Sequence, residues 1–252
     1  MSESARPKAV LFDTYGTVCD FYRPFRRAFE QLAQAKGMSC DAGALAIAWR
    51  TAYLVSTSTQ AMEGTAFLPL WDINRANLVA LLADRFPAEV TGSEIDEMVT
   101  TWEKLEPWPD VVEGLREIKK VAIIGPLSNG NFADMVNLAR HARLPWDIIL
   151  GASLSRHYKP HAQTYLKSIE ALRLRPEQVC MVAAHQADLA FAASHGMQTA
   201  FVPRPLEFGG PVKPEQPEEG VSYIEAAEVY PERDWNYIAE DFLDLAAQLA
   251  TS

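Results

Sequence analysis

The sequence predicts an α/β protein with a doubly wound parallel sheet, a Rossmann-like core and an inserted helical cap domain. Two observations indicate this fold. Short apolar runs, which suit strands buried on both faces, alternate with amphipathic stretches of helical period, as in βαβ units. After the first apolar run, a long segment with only helical patterns interrupts the alternation. The chain has 252 residues and is 48% hydrophobic, so it can bury a core of this size.

Five apolar runs are assigned to strands. The first covers residues 8–12 and stops at Asp13, which opens a turn over residues 14–17. The others cover residues 121–127, 146–150, 179–184 and 198–202. Amphipathic helices are predicted between them over residues 111–119, 132–141, 161–172 and 187–195. Ligands bind at the carboxyl ends of the strands in such sheets, so the polar residues that follow each strand are the candidates for chemistry.

The segment 21–104 predicts a helical cap over the strand ends. Four helices are indicated in it, over residues 25–36, 42–57, 70–85 and 93–104. Pro107 and Pro109 mark the return of the chain to the sheet. We therefore expect a core domain of residues 1–20 and 105–252 and a cap domain of residues 21–104.

Two further features of the core can be predicted. The Pro- and Gly-rich stretch 203–220 suits a surface loop, and a last helix is indicated over residues 235–249. Pro126 lies within the run 121–127 and lacks the N–H that a central strand donates to its neighbour. We therefore expect that strand to end early or to form a bulge at Pro126.

The composition argues against several classes of partner and compartment. A net charge of −10, without a clustered basic surface, argues against nucleic-acid binding. No apolar run approaches the roughly 20 residues of a membrane span. The cysteines Cys19, Cys40 and Cys180 lack metal-ligand spacing, and their odd number fits poorly with a disulfide framework, so we interpret them as reduced thiols. Residues 1–7 lack the apolar stretch of a secretion signal, and we expect a cytoplasmic protein.

Polar residues follow the predicted strands in a regular order. They stand in four motifs: Phe-Asp-Thr-Tyr-Gly-Thr at 12–17, Leu-Ser-Asn-Gly at 127–130, Tyr-Lys-Pro at 158–160 and Ala-Ala-His-Gln-Ala-Asp at 183–188. By the order and spacing of these motifs, the chain resembles the haloacid dehalogenase superfamily, whose cap is inserted where the segment 21–104 lies. The resemblance implies that Asp13 is a catalytic nucleophile.

Position 15 separates two branches of that superfamily. The phosphatase branch has a second Asp two residues after the nucleophile, as general acid and part of a Mg²⁺ site, whereas this chain has Tyr15. A phenol, with a pKa of about 10, is not a hard carboxylate ligand at neutral pH. Asp-x-Tyr-Gly-Thr is the pattern of the L-2-haloacid dehalogenases, and the resemblance to them implies hydrolysis of small 2-haloacids without metal or other cofactor. A metal-dependent phosphatase and a non-catalytic small-ligand-binding protein stay open as alternatives. The family also implies that a homodimer is possible.

The resemblance implies a two-step reaction. Asp13 attacks carbon 2 of the substrate and expels halide, which leaves an ester that water then hydrolyses at the Asp carbon. Thr17 and nearby backbone N–H groups would hold Asp13, while Lys159 supplies a compensating positive charge. Asp188 is the natural partner of Lys159, although such a pair can also serve the fold alone. The subfamily implies an L-substrate and a D-2-hydroxy acid product.

The resemblance also implies how the substrate is bound. The departing halide needs donors where negative charge develops, and these would be Arg50, from the predicted helix 42–57, and Asn129. The substrate carboxylate would be bound by the Ser128 hydroxyl and the backbone N–H groups that follow Asp13, at Thr14 and Tyr15. Two other cap arginines are weaker candidates for the halide, Arg27 and Arg75.

Two residues depart from the family pattern. Where the best-known members carry Ser-Ser-Asn, this chain has Ala183-Ala184-His185, and Ala183 lacks a hydroxyl expected near the nucleophile. His185 replaces an amide that would help to hold the hydrolytic water. An imidazole can act as a general base, which an amide cannot, or it can serve only as a hydrogen-bonding group of the loop. Asp20 is a candidate orienting partner.

Overall fold

The computed structural model describes residues 6–63, 66–86, 88–210 and 227–251 of the chain. The strands within these ranges are β1 (Ala9–Phe12), β2 (Cys19–Asp20), β3 (Glu106–Pro107), β4 (Ile123–Ser128), β5 (Leu150–Gly151), β6 (Val179–Ala183), β7 (Gln198–Phe201) and β8 (Tyr237–Ile238). Strands β5, β4, β1, β6, β7 and β8 form one sheet in that order, and each of these pairings is parallel. The predicted doubly wound parallel sheet is confirmed.

Helices connect these strands. In chain order they are α1 (Tyr22–Ala35), α2 (Ala42–Glu63), α3 (Leu70–Arg85), α4 (Gly92–Val99), α5 (Val111–Ile118), α6 (Phe132–Ala142), α7 (Ala152–Ser155), α8 (Ala162–Ala171), α9 (Gln186–Ser194) and α10 (Phe242–Thr251). Short 3₁₀ turns cover Thr100–Glu103 and Pro176–Gln178. None of the helices in the described ranges is long and apolar enough to cross a membrane.

The central strand β1 is buried on both faces, as its unbroken apolar run predicts. Its residues are fully shielded from solvent. Phe12 packs against Phe242 of α10, with ring centroids 5.2 Å apart. Leu11 belongs instead to the apolar cluster that contains Tyr165 of α8 and Leu189 of α9. Helices therefore cover both faces of the sheet, and its polar residues emerge only at the strand ends.

Pro126 neither ends nor bulges the strand that contains it, so that expectation was wrong. Strand β4 runs through to Ser128, and Pro126 is paired in register with Phe12 of β1. Ile124 makes its backbone hydrogen bonds with Asp147, on the side of the edge strand β5. Because backbone groups alternate in direction along a strand, the nitrogen of Pro126 faces the same side. Strand β5 begins beyond that point, at Leu150. The nitrogen of Pro126 therefore faces away from β1, and the missing N–H removes no hydrogen bond between β1 and β4.

The end of the chain also departs from the prediction. Tyr237 and Ile238 form strand β8, and helix α10 begins only at Phe242. The Asp241 carboxylate accepts a hydrogen bond from the N–H of Asp244, which is the geometry of a helix N-cap and fixes the later start. The described part of the predicted loop 203–220 is anchored in the core, because Glu207 within it is 1% exposed. The rest of that loop lies outside the described residues.

The chain leaves and re-enters the sheet region through two paired strands. Strands β2 and β3 are antiparallel, with Cys19 opposite Pro107. Between them, within the described residues, the chain is helical and irregular. The ring of Tyr15, just past β1, lies edge-on to Trp102 and Tyr53, at centroid distances of 5.1 and 5.8 Å. These aromatic contacts hold helix α2, which carries Arg50, against the carboxyl end of β1.

Candidate active site

A cavity of about 290 Å³ lies where the carboxyl end of β1 meets helix α2. Its wall contains six of the residues that the sequence singled out: Asp13, Arg50, Asn129, Lys159, His185 and Asp188. Asp13 and Asn129 directly follow strands β1 and β4. Segments far apart in the sequence therefore deliver their polar side chains to one place, as parallel sheets do at their carboxyl ends.

The turn after β1 fixes Asp13 through its backbone and through Thr17. The Asp13 N–H donates to Val182 O at 2.9 Å. Thr17 Oγ1 donates to Asp13 Oδ2 at 2.8 Å and accepts from the N–H of Ala184 at 3.0 Å. The Ala184 N–H can only donate, so Thr17 Oγ1 accepts there, and its single hydroxyl proton is free to be donated to Asp13. The Arg204 guanidinium, which donates from Nε to Thr17 O at 2.8 Å, holds the far end of the turn.

Lys159 and Asp188 form one flank of Asp13. Lys159 Nζ donates to Asp13 Oδ1 at 2.8 Å and also contacts Asp188 Oδ2. Asp188 Oδ1 accepts from the Tyr165 hydroxyl at 2.7 Å, and Asn129 Oδ1 accepts from the Lys159 N–H at 2.7 Å. Burial disfavours the charged forms, but the pairing outweighs it: the pKa of Lys159 is raised by Asp13 and Asp188, and the pKa of Asp13 is lowered by Lys159 and His185. Asp13 is therefore an ionised carboxylate at neutral pH.

His185 and Glu207 form the other flank. His185 Nδ1 lies 3.1 Å from Asp13 Oδ2, and its Nε2 lies 2.8 Å from Glu207 Oε1. Burial opposes protonation, but the charge of Glu207 and the hydrogen bonds to both acids outweigh it and raise the pKa of His185 to about 10. Gly16 makes room for this arrangement, since a Cβ at that position would lie 2.1 Å from Glu207 Oε1.

Arg50 is a buried cation with unused hydrogen-bond donors. Its Nη2 donates to Tyr15 O at 3.0 Å, and its guanidinium lies 4.8 Å from the ring centroid of Tyr53 and 5.1 Å from that of Phe21. Nε and Nη1 have no hydrogen-bond partner within the described part of the chain. Buried donors are normally satisfied, so these two unpaired nitrogens of a buried cation are available to an anionic group.

Three of the predicted binding residues are buried and do not belong to the cavity wall. Ser128 is fully buried, and its Oγ accepts from the Gly130 N–H at 3.2 Å. Thr14 Oγ1 and Tyr15 Oη have no hydrogen-bond partner within the described ranges. The Tyr15 side chain packs among aromatic rings, while the backbone carbonyl of Tyr15 accepts from Arg50 and orients it.

The weaker halide candidates bind surface carboxylates instead. Arg27 pairs with Glu106 at 3.2 Å, and Arg75 pairs with Asp96 at 2.7 Å. All four side chains are more than a third exposed. Neither arginine belongs to the wall of the cavity.

The expectation that Asp20 is an orienting partner in the site was wrong, and Glu207 orients His185 instead. Asp20 Oδ1 accepts from the N–H of Tyr22 at 2.8 Å, at the first residue of helix α1, where backbone donors lack helical partners. The glutamate comes from the stretch expected to be a surface loop, and no local pattern marked it. Tyr53 was also missed, although its place three residues after Arg50 puts it on the same helix face.

The donor set around Asp13 does not fit a magnesium ion. Mg²⁺ prefers an octahedron of oxygens from carboxylates, phosphates and water. Here Lys159 binds one Asp13 oxygen, and Thr17 and His185 face the other. Tyr15, at the place of the second phosphatase carboxylate, turns its ring into the aromatic cluster. Both Asp13 oxygens are therefore already bound by groups that a magnesium ion would have to displace.

The haloacid dehalogenase-like hydrolase family model matches residues 7–196 of the chain. The protein therefore belongs to this family of hydrolases. Its relatives place it in the L-2-haloacid dehalogenase subfamily. It is 38% identical to the defluorinating L-2-haloacid dehalogenase Rha0230, with a TM-score of 0.86 over 97% of this chain and 95% of that one. It is 36% identical to the L-2-haloacid dehalogenase PA0810, with a TM-score of 0.85 over 98% of this chain and 100% of that one. A curated relative, (S)-2-haloacid dehalogenase of Xanthobacter autotrophicus, is 28% identical over 201 residues, 78% of this chain and 75% of that protein.

Proposed function

We propose that this protein is an (S)-2-haloacid dehalogenase that hydrolyses small 2-haloacids to 2-hydroxy acids through a covalent ester on Asp13. One observation carries the proposal. An ionised carboxylate, Asp13, shares a cavity of about 290 Å³ with a buried arginine, Arg50, that has two unpaired donors. A fixed nucleophile and an anion site in one small cavity suit a displacement whose leaving group is an anion.

The first step is displacement of the halide. An Asp13 oxygen forms a bond to carbon 2 as the carbon–halogen bond breaks, and the halide leaves with the bonding electrons. Negative charge moves from Asp13 toward the halide, so Arg50 and Asn129 interact more strongly with the transition state than with the substrate. The Ser128 hydroxyl and the N–H groups of Thr14 and Tyr15 are our proposed ligands of the substrate carboxylate.

The second step is hydrolysis of the ester. Water attacks the side-chain carboxyl carbon of Asp13, and negative charge develops on the carbonyl oxygen. In the free protein Lys159 donates to Asp13 Oδ1 and Thr17 donates to Oδ2, so whichever of these oxygens remains the carbonyl has a donor that can stabilise that charge. His185 is close enough to Asp13 to accept a proton from the attacking water. Cleavage of the acyl–oxygen bond then releases the hydroxy acid and restores Asp13.

The proposal includes the division into a core of residues 1–20 and 105–252 and a cap of residues 21–104. Asp13 belongs to the first part and Arg50 to the second, so one part would hold the attacking group and the other would hold the leaving group. A cytoplasmic location and a homodimer stay predictions.

Halide release tests this function directly. We expect halide release from chloroacetate, bromoacetate and the L-isomer of 2-chloropropionate, with EDTA present throughout. Measurements with fluoroacetate and the D-isomer of 2-chloropropionate define the range of substrates. Loss of activity with EDTA and its recovery with Mg²⁺ would contradict the metal-free assignment. Mg²⁺-dependent phosphate release from a generic ester, without halide release, would support the phosphatase alternative. Binding of haloacids with no release would support the non-catalytic one.

A further inference from the structure

His185 lies between two acids, one at each ring nitrogen. Nδ1 is 3.1 Å from Asp13 Oδ2, and Nε2 is 2.8 Å from Glu207 Oε1. Ionised carboxylates can only accept hydrogen bonds, and a neutral imidazole has one donor nitrogen. Both contacts are therefore satisfied only when His185 carries two protons. The resting site holds an imidazolium, in agreement with the raised pKa of this residue.

An imidazolium cannot accept a proton from water, so His185 is not a general base in the resting enzyme. Ester formation removes one of the charges that keep it protonated, because esterified Asp13 is neutral. Lys159, on the other Asp13 oxygen, keeps its positive charge and further disfavours a second cation nearby. Glu207 still accepts from Nε2. The proton that loses its charged partner is therefore the one on Nδ1, which lies 3.1 Å from an oxygen bonded to the carbon that water must attack.

We propose that ester formation on Asp13 converts His185 from an acid into the base for ester hydrolysis: its Nδ1 proton leaves to solvent with the ester, and the neutral ring then accepts a proton from the hydrolytic water. This inference rests on the proposed dehalogenation. The proton has a route out, since the His185 side chain is 27% exposed.

The protons balance over the two steps. In the first, the halide leaves the substrate and one proton leaves His185. In the second, one water hydrogen returns to Nδ1, and the other ends on the hydroxyl of the product. The enzyme is again an Asp13 carboxylate with a protonated His185. The single proton that dehalogenation releases therefore appears with the halide, before hydrolysis.

Glu207 is a positioning residue in this scheme. It keeps the Nε2 proton, so the free lone pair of the neutral ring is on Nδ1. The groups that face His185 are Asp13 on one side, Glu207 on the other, and Glu228, whose carboxylate accepts from the Gln186 N–H at 2.7 Å. Glu207 makes the closest contact after ester formation, and its charge raises the pKa at which the ring becomes neutral. Hydrolysis that requires the neutral ring speeds up as the pH rises through that pKa.

The test is a single turnover in weak buffer at pH about 8, with enzyme in excess over a chiral 2-chloropropionate of L configuration. A pH-indicator dye reports protons, quenched samples report halide, and intact mass reports the ester. We expect one proton per halide in the phase in which the ester appears, and no proton release as the ester disappears. Halide release without a proton, followed by a proton with ester loss, would overturn the inference. Absence of halide release would instead overturn the proposed function.

The pH profile of Glu207→Gln provides a second measurement that does not depend on resolving the two phases. In this variant, the pH at which ester hydrolysis reaches half its maximal rate should fall by about one to three units, the range for losing a nearby opposite charge. An unmoved midpoint with an unchanged rate would overturn the role of Glu207 and the inference with it.

In His185→Asn, one halide per site should be released without a proton, and hydrolysis should slow by about 10²–10⁴-fold. Hydrolysis at the wild-type rate in that variant would show that His185 is structural.

Discussion

Lys159 and His185 contact the two different oxygens of Asp13, and each lies between Asp13 and a second buried acid. For Lys159 the second acid is Asp188, and for His185 it is Glu207. The two flanks differ in the chemistry of the cation. The two carboxylates raise the pKa of Lys159 and keep it charged at neutral pH, whereas an imidazolium can lose its proton when one carboxylate disappears. Similar geometry thus provides a permanent charge for the nucleophile on one side and a removable proton on the other.

The largest expected effect comes from removing the group that both flanks share. Asp13→Asn should reduce halide release to the background, because a neutral amide is a poor nucleophile. Circular dichroism and the melting temperature should show that the variant is folded. Asp20→Asn is a matched control, since Asp20 accepts from the Tyr22 N–H at the start of α1 and the amide oxygen of asparagine can accept the same hydrogen bond. Substantial activity in Asp13→Asn, or an equal loss in Asp20→Asn, would contradict the assignment of the nucleophile.

A smaller effect is expected from the leaving-group side of the cavity. Arg50→Ala should slow the halide-releasing step by about 10²–10³-fold, the scale for losing one donor to a developing charge. The loss should be larger for chloroacetate than for bromoacetate, because the poorer leaving group depends more on stabilisation. Rapid-quench measurement of the first halide gives this rate.

The controls for Arg50 are two exposed arginines of the proposed cap. Arg27→Ala and Arg75→Ala remove the same charge from sites that pair with surface carboxylates, and both should retain wild-type kinetics. Wild-type rates in Arg50→Ala would assign the halide site to another residue. A loss of equal size in all three variants would show that the net charge of the cap, and no particular donor, is responsible.

The smallest effect tests how firmly the lysine flank is held. Tyr165→Phe removes the hydrogen bond to Asp188 Oδ1 and leaves Lys159 in place. The acceptor is the carboxylate that pairs with Lys159, and a hydrogen bond to a charged group contributes about 1.5–3 kcal/mol. Because Tyr165 acts on Asp13 only through Asp188 and Lys159, kcat should fall by only part of that energy, roughly 2–10-fold. The pH profile of ester hydrolysis, which we assign to the histidine flank, should not move. A shifted profile would show that the two flanks are coupled.

The two flanks also differ in how far the sequence predicts them. Lys159 and Asp188 stand in short motifs after strands of the sheet, and parallel strands bring such positions together wherever the fold forms. Glu207 follows no motif, and its contact with His185 depends on Gly16 leaving space and on the anchoring of residues 203–210, which are properties of tertiary packing. Pro126 was misjudged for a related reason: its effect depends on which neighbour the nitrogen faces, and sequence alone does not give that direction.

The covalent role of Asp13 is the central claim of this account, and a single turnover in ¹⁸O-water tests it most directly. With enzyme in excess over chloroacetate, water should attack the Asp13 carbon, so the label should appear in the peptide that contains Asp13. The hydroxy acid from that first turnover should be unlabelled, because its hydroxyl oxygen comes from the Asp13 carboxylate. Label found only in the hydroxy acid would mean that water attacks the substrate itself, and it would contradict the ester on Asp13.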